Sequence, residues 1–265
     1  SSGGNHGNDP VADAIQSIIN NGIVRAKIQE VESQQNANTQ AFNALTHSGA
    51  GTLQLLTNSL KVLTFNQTAG TFSMVDANDN ITLLNMNVGS AFSLSANTTF
   101  TKGGTLTFDG AAGIIVTDSN ATKQNLGNVV IGDGVTSKTV TLGSAIAATN
   151  LTIAANGTLD TSNGNNYGIT VSGNWSNSGT FTAREGAVTL NATASGKTIT
   201  TGSSSFYNLT LNGVGGGWTL QDNTTVSNVL TITAGTLDAS SRTITLSGTT
   251  GTPFSNSGTF IASTS

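Results

Sequence analysis

From Thr52 onward, apolar and polar positions alternate along the chain. Short triplets recur in which large apolar residues flank a small or β-branched one: Leu106-Thr107-Phe108, Val129-Val130-Ile131, Val140-Thr141-Leu142, Leu151-Thr152-Ile153 and Ile169-Thr170-Val171. They continue as Val188-Thr189-Leu190, Leu209-Thr210-Leu211, Trp218-Thr219-Leu220, Leu230-Thr231-Ile232 and Ile244-Thr245-Leu246. A period of two belongs to a strand with one buried face, so the flanking residues point inward and the central Thr outward. Turn residues separate the triplets, mostly at about 8–12 residues.

Before Thr52 the period is helical. Asp9-Pro10 reads as a helix start, since Asp caps free amides and Pro suits the first helical position. Val11, Ala14, Ile15, Ile18 and Ile19 then share one face, and Asn20-Asn21-Gly22 is a stop signal. A second helix is expected from Ile23 to about Leu45, carrying Val24, Ile28, Val31, Ala41 and Leu45. This divides the chain into a leader (1–9), a helical arm with a linker around His47 (10–50) and a β region (51–265).

The β region repeats itself. Ser176-Asn177-Ser178-Gly179-Thr180-Phe181 returns unchanged as Ser255-Asn256-Ser257-Gly258-Thr259-Phe260, 79 residues later. Asn150-Leu151-Thr152-Ile153 answers to Asn228-Val229-Leu230-Thr231-Ile232, Gly157-Thr158-Leu159-Asp160 to Gly235-Thr236-Leu237-Asp238, and Ile169-Thr170-Val171 to Ile244-Thr245-Leu246. A fainter copy links Thr99-Phe100-Thr101 to Thr180-Phe181-Thr182. A sandwich has no reason to repeat its sequence, whereas stacked coils do. The expected fold is therefore all-β: a parallel β-helix-like β-solenoid. Its coils should hold about 20 residues in two strands, so that ten coils make a rod about 50 Å long. Asn128, Asn150, Asn208 and Asn228, just ahead of strands, suit coil corners and ladders between coils.

Composition agrees with many strands and tight turns. Only 8% of residues are charged. A net charge of −4 with scattered Lys and Arg excludes a nucleic-acid footprint. There is no Cys, hence no disulfide framework, and no apolar run is long enough to span a membrane. The Thr/Asn/Gly-rich, acidic composition leans extracellular or cell-surface.

Candidate chemistry is sparse. Asp76, Asn78, Asp79 and Asn80 gather oxygen donors as a calcium loop does, though without the later Glu of such loops; an Asx-rich turn explains them as well. Asp160 and Asp238 are a conceivable carboxylate pair, but as copies of one position each should serve its own turn. Asp109, Asp118, Asp133, Glu185 and Asp222 have no partner in sequence, so no enzyme, metal or cofactor is expected. Lys138-Thr139-Val140-Thr141, Lys197-Thr198-Ile199-Thr200 and Arg242-Thr243-Ile244-Thr245 bear Thr-x-Thr, the pattern of ice-binding faces, but at intervals too long for every coil. Trp175 beside a turn, with Tyr167, is the candidate sugar contact; Trp218 occupies an inward position.

The strand-turn units Asn150–Ile153 and Gly157–Asp160 and the hexapeptide pair resemble the β-solenoid passenger regions of bacterial surface proteins. These include haemagglutinin-like adhesins, autotransporter passengers and S-layer-like proteins. The resemblance covers about residues 52–265 and implies an extracellular protein acting by adhesion or by building layers and fibres. The arm is not typical of that group and reads as an assembly device. The second hexapeptide lies where the rod runs out, so the expected assembly face comprises Phe254, Phe260 and Ile261, with Ile15, Ile18, Ile19 and Ile28 of a neighbour's arm as cover. Head-to-tail contact of this kind gives filaments or layers of one protein. The alternative is an adhesin or fibre module binding a surface glycan; a polysaccharide-active enzyme and an ice-binding protein rank below both.

Overall fold

Strands from Phe42 to Ile261 wind into one stack of coils in a computed structural model that describes residues 42–55, 59–77, 81–110, 113–249 and 251–262. Every named strand pairing is parallel, and partners lie one coil apart: Leu151 pairs with Val129 and with Trp175, 22 and 24 residues away. The chain is a parallel β-solenoid of about 10 turns. The expected fold class holds, with coils of roughly 22 residues.

Each coil contributes three strand segments rather than two, one to each of three ladders. The first ladder runs through Thr105–Phe108, Asn128–Ile131, Asn150–Ile153, Trp175–Asn177 and Lys197–Thr200, and on to Thr259–Ile261. The second runs through Ile114–Asp118, Lys138–Leu142, Gly157–Asp160 and Thr180–Thr182 and is taken up later by Ile244–Leu246. The third links Ile146–Ala148, Ile169–Val171 and Ala187–Leu190 and ends at Phe254–Asn256. Phe206–Leu220 and Thr224–Asp238 each bend through all three.

The 79-residue repeat does not match a whole number of coils. Between Trp175 and its copy Phe254 the chain makes eleven strand segments, or three turns and two-thirds of a fourth. Each copy therefore lands on a different ladder. Trp175–Asn177 is in the first and Phe254–Asn256 in the third; Gly157–Asp160 is in the second and its copy, ending at Asp238, in the first. Strand-turn units can be reused this way because all three ladders offer the same parallel backbone partners. Local turn chemistry travels with the copy. Asn177 and Asn256 each accept the amide of the Gly two residues on, at 2.9 and 3.0 Å. A Cβ on Gly179 would sit 2.3 Å from the Gly157 carbonyl oxygen, and one on Gly258 2.6 Å from that of Gly235. The hexapeptide needs glycine there because one coil rests its backbone on the last.

The alternating triplets behave as read. Leu151, Ile153, Val171, Leu190, Leu211 and Ile232 are buried, with Thr outward between them. Aromatic residues thicken the core in two places. Phe65, Phe72, Phe92, Phe100 and Phe108 form one cluster; Trp175, Phe181 and Phe206 form another, with Trp175 4.8 Å from Phe181. Asn150 Nδ2 donates to Asn128 Oδ1 at 2.7 Å, and Asn228 Nδ2 to Asn208 Oδ1 at 2.8 Å. These are the expected corner ladders, set on two different corners.

Besides the two strands expected per coil, two further expectations fail. Residues 42–47, assigned to the end of a helix and a linker, form a strand paired with Leu60–Gln67. Leu45 and His47 point inward beside Phe65 and Gln67, so burial in the ladder outweighs the helical spacing of Leu45. Trp175 is not an exposed sugar platform. It is 1% exposed and stacks edge-on against Phe181 and Phe206. The rest of the arm lies outside the described residues.

Trp175→Ala should cost about 3–5 kcal/mol, the range for removing a large buried aromatic, measured as a shift in the denaturant midpoint. No change in that midpoint would place Trp175 outside the core.

Candidate functional site

The hexapeptide sits in two settings, and their difference defines the site. At Asn177, fully buried, Nδ2 donates to the Thr201 carbonyl at 2.7 Å and to Ser204 Oγ at 3.0 Å, both on the following coil. Ser204 Oγ also accepts the Phe181 amide. At Asn256 the inner half of this arrangement is kept, through the Gly258 amide. Among the described residues, its outward-facing Nδ2 meets no acceptor.

The side chains show the same contrast. Inside the rod, Leu209, Leu230 and Leu237 are buried to 1% exposure. In the coil of Ile244–Leu246, Phe254–Asn256 and Thr259–Ile261, the inward residues Ile244, Leu246, Phe254 and Phe260 are only partly buried against the core. Phe254 and Phe260 pack edge-on at 5.7 Å, as their copies Trp175 and Phe181 do. Ile261 is 47% exposed. Of the expected assembly residues, Phe254 and Phe260 pack together on the inward side of this coil, whereas Ile261, next to Phe260 in the strand, points outward and lines the open groove; Ile15, Ile18, Ile19 and Ile28 lie outside the described residues.

The acids are coil brackets. Asp160 Oδ1 caps the Ser162 amide at 2.9 Å, and Asp238 Oδ1 the Ser240 amide at 2.7 Å, the same turn in two copies. Asp160 also holds Arg184 of the next coil through two contacts, at 3.1 and 2.8 Å. Its carboxyl is held below the usual range by the Arg184 hydrogen bond first, then by the Ser162 amide, against an opposing cost of burial. Asp118 is buried and accepts from Asn120 and Gln124. Asp222 takes the Thr201 and Gly202 amides, and Asp109 takes Asn87 Nδ2. Asp133 closes its own loop through the Thr136 and Val135 amides, which hold its pKa low, with Lys138 at 3.5 Å.

Asp76 is buried, its amide donating to Thr82 O at 2.8 Å. Asn78, Asp79 and Asn80 lie outside the described residues. Among the described residues no group of three His, Asp or Glu side chains is placed to hold a metal. Tyr167 is half-buried against the core. The three Thr-x-Thr motifs do not line up: Lys138–Thr141 and Arg242–Thr245 belong to the second ladder, several coils apart, and Lys197–Thr200 to the first. The regular hydroxyl row is instead Thr170, Thr189, Thr210 and Thr231, in register on the third. Their central place in the triplets was visible in sequence; their alignment was not.

One open groove, of about 640 Å³, runs beside the corners leading into the first ladder. The corners at 191–196 and 212–216 have six and five residues, whereas those at 233–235 and 257–258 have three and two. The step between long and short corners makes the groove, lined by Val214, Gly215, Thr236, Asp238 and Ile261.

No family model, curated protein or solved structure matches the chain. The fold itself defines the class: a repetitive parallel β-solenoid protein. No described helix is long and apolar enough to cross a membrane.

Because the Asp160 pKa is lowered on folding, its contribution is present above the ordinary carboxylate pKa of about 4 and is lost as pH falls through the folded value. Asp160→Asn should cost less than about 1 kcal/mol at pH 7, as for a partly exposed ion pair. In denaturant titrations the gap to wild type should close in acid; a gap that persists at pH 2.5 contradicts this account.

Proposed function

We propose that this chain is an extracellular, cell-surface structural protein that assembles with copies of itself, coil upon coil, into a filament or layer. The observation that carries the reading is the coil at 244–261, which keeps the interior hexapeptide and in which, among the described residues, Ile244, Leu246, Phe254 and Phe260 are only partly buried. Covering Ile244, Leu246, Phe254 and Phe260 buries apolar surface, and Asn256 gains the carbonyl that Asn177 has in Thr201. The bare strand edge there also offers backbone donors and acceptors to another strand. In this reading a second copy supplies the cover, and contact between unlike ends propagates. The resemblance to repetitive bacterial surface proteins, the low charge and the absence of Cys support an outer-surface setting. The corner-bracket roles of the acids support a protein without catalysis.

The glycan-binding alternative rests on the open groove alone, since Trp175 is core. Binding on a glycan array that is lost on Asp238→Ala, in a protein that stays monomeric, would favour it.

Sedimentation velocity over a wide concentration range tests the lead reading. The expected result is growth beyond the monomer, with fibres or sheets by negative-stain microscopy. Phe260→Asp should reduce association at least tenfold without unfolding the rod, because Phe260 already lies at the coil's open side. A strict monomer at the highest soluble concentration refutes self-assembly.

A further inference from the structure

His47 and Gln67 are register partners in the ladder between Phe42–His47 and Leu60–Gln67, and both are fully buried. Gln67 Nε2 donates to the carbonyls of Gly70 and Thr99, at 2.8 and 2.9 Å. Those two acceptors fix the amide's orientation, since the reverse would set oxygen against oxygen. Gln67 Oε1 is then left without a donor, and both ring nitrogens of His47 are without partners. These three are the only unsatisfied buried side-chain nitrogens and oxygens among the described residues. Among the described residues every other buried side-chain nitrogen and oxygen has a partner, so this pair stands apart.

We propose that His47 is an acid-sensitive latch on the coil of Phe42–His47. A neutral imidazole lets this strand close on Leu60–Gln67, and protonation opens it. Burial disfavours the charged ring, and no described charge offsets that cost. Lys61, the charged residue of the paired strand, is on its exposed face. Thr52–Gln54, Thr71–Ser73 and Thr99–Thr101 bring no charge. Along the column of His47, Gln67 and Leu94, the first carboxylate is Asp118, three coils away and already engaged by Asn120 and Gln124. A single bond from the imidazolium to Gln67 Oε1 does not replace the lost hydration of a full charge. The folded pKa therefore lies below the ordinary value of 6.5, and stability from the neutral ring is complete above that pH and falls as pH drops below it. Opening bares the edge of Leu60–Gln67 to another strand.

The test is hydrogen exchange of the whole chain, corrected for the intrinsic pH dependence of exchange. The probes are the amides of residues 43–47 and of Thr68, which donates to the His47 carbonyl at 2.8 Å. Between pH 7.5 and 5.0, protection there should fall by about thirtyfold, the ratio for a group of pKa 6.5 that titrates only when open. Amides near Leu151 should not respond, and in His47→Phe and His47→Gln the local response should vanish. Unchanged or rising protection in acid overturns the proposal, as does the same loss in a folded variant. Should neither variant fold, NMR titration of wild-type His47 decides: a pKa clearly below 6.5 supports the latch, and one at or above 6.5 overturns it. His6, the only other histidine, serves as the internal reference.

Discussion

Each strand in this rod depends on the coil before it and the coil after it. The parallel ladders leave no strand with a partner from its own coil, so backbone hydrogen bonds, side-chain burial and corner contacts all run along the rod axis. A coil has no core of its own. Leu151 is buried because Val129 and Trp175 lie below and above it, and the same holds in every interior turn.

This dependence explains where the polar residues have gone. Asn128, Asn150 and Asn174 link one coil to the next by hydrogen bonds, and Asn174 Oδ1 accepts the Thr198 amide. Asp160, Asp118 and Asp222 each tie a corner, and Asp160 spans to Arg184 on the following turn. Among the described residues, carboxylates spent on corners do not gather into a group of three. Scattered, individually bracketed acids are what a load shared evenly along a rod requires.

The same dependence gives the two ends of the described rod their character. At 244–261, among the described residues, Ile244, Leu246, Phe254 and Phe260 are only partly buried, and Asn256 keeps only the Gly258 amide of the contacts that Asn177 makes. At Phe42–His47 the inward side chains are buried, but one is a histidine without partners.

Alternation along the triplets was enough to say which residues point inward, because a strand's side chains have a period of two whatever surrounds it. The repeats were enough to indicate stacked coils, and Asn and Gly at fixed places within them marked the corners. Trp218 was correctly placed inside. What sequence left open was decided by closure of the coil. Corners from the single Thr149 to the eight residues 161–168 separate three segments per turn, so a 79-residue repeat falls two-thirds of a turn out of step and sets identical hexapeptides on different faces. Trp175 stands next to a turn in sequence but beneath the next coil in space, in contact with Phe181 and Phe206. His47 looked like a linker residue until Leu60–Gln67, 20 residues on, gave it a ladder to join. Local spacing carries the pleat of a strand; only the stacked neighbour, a coil away, decides what is covered.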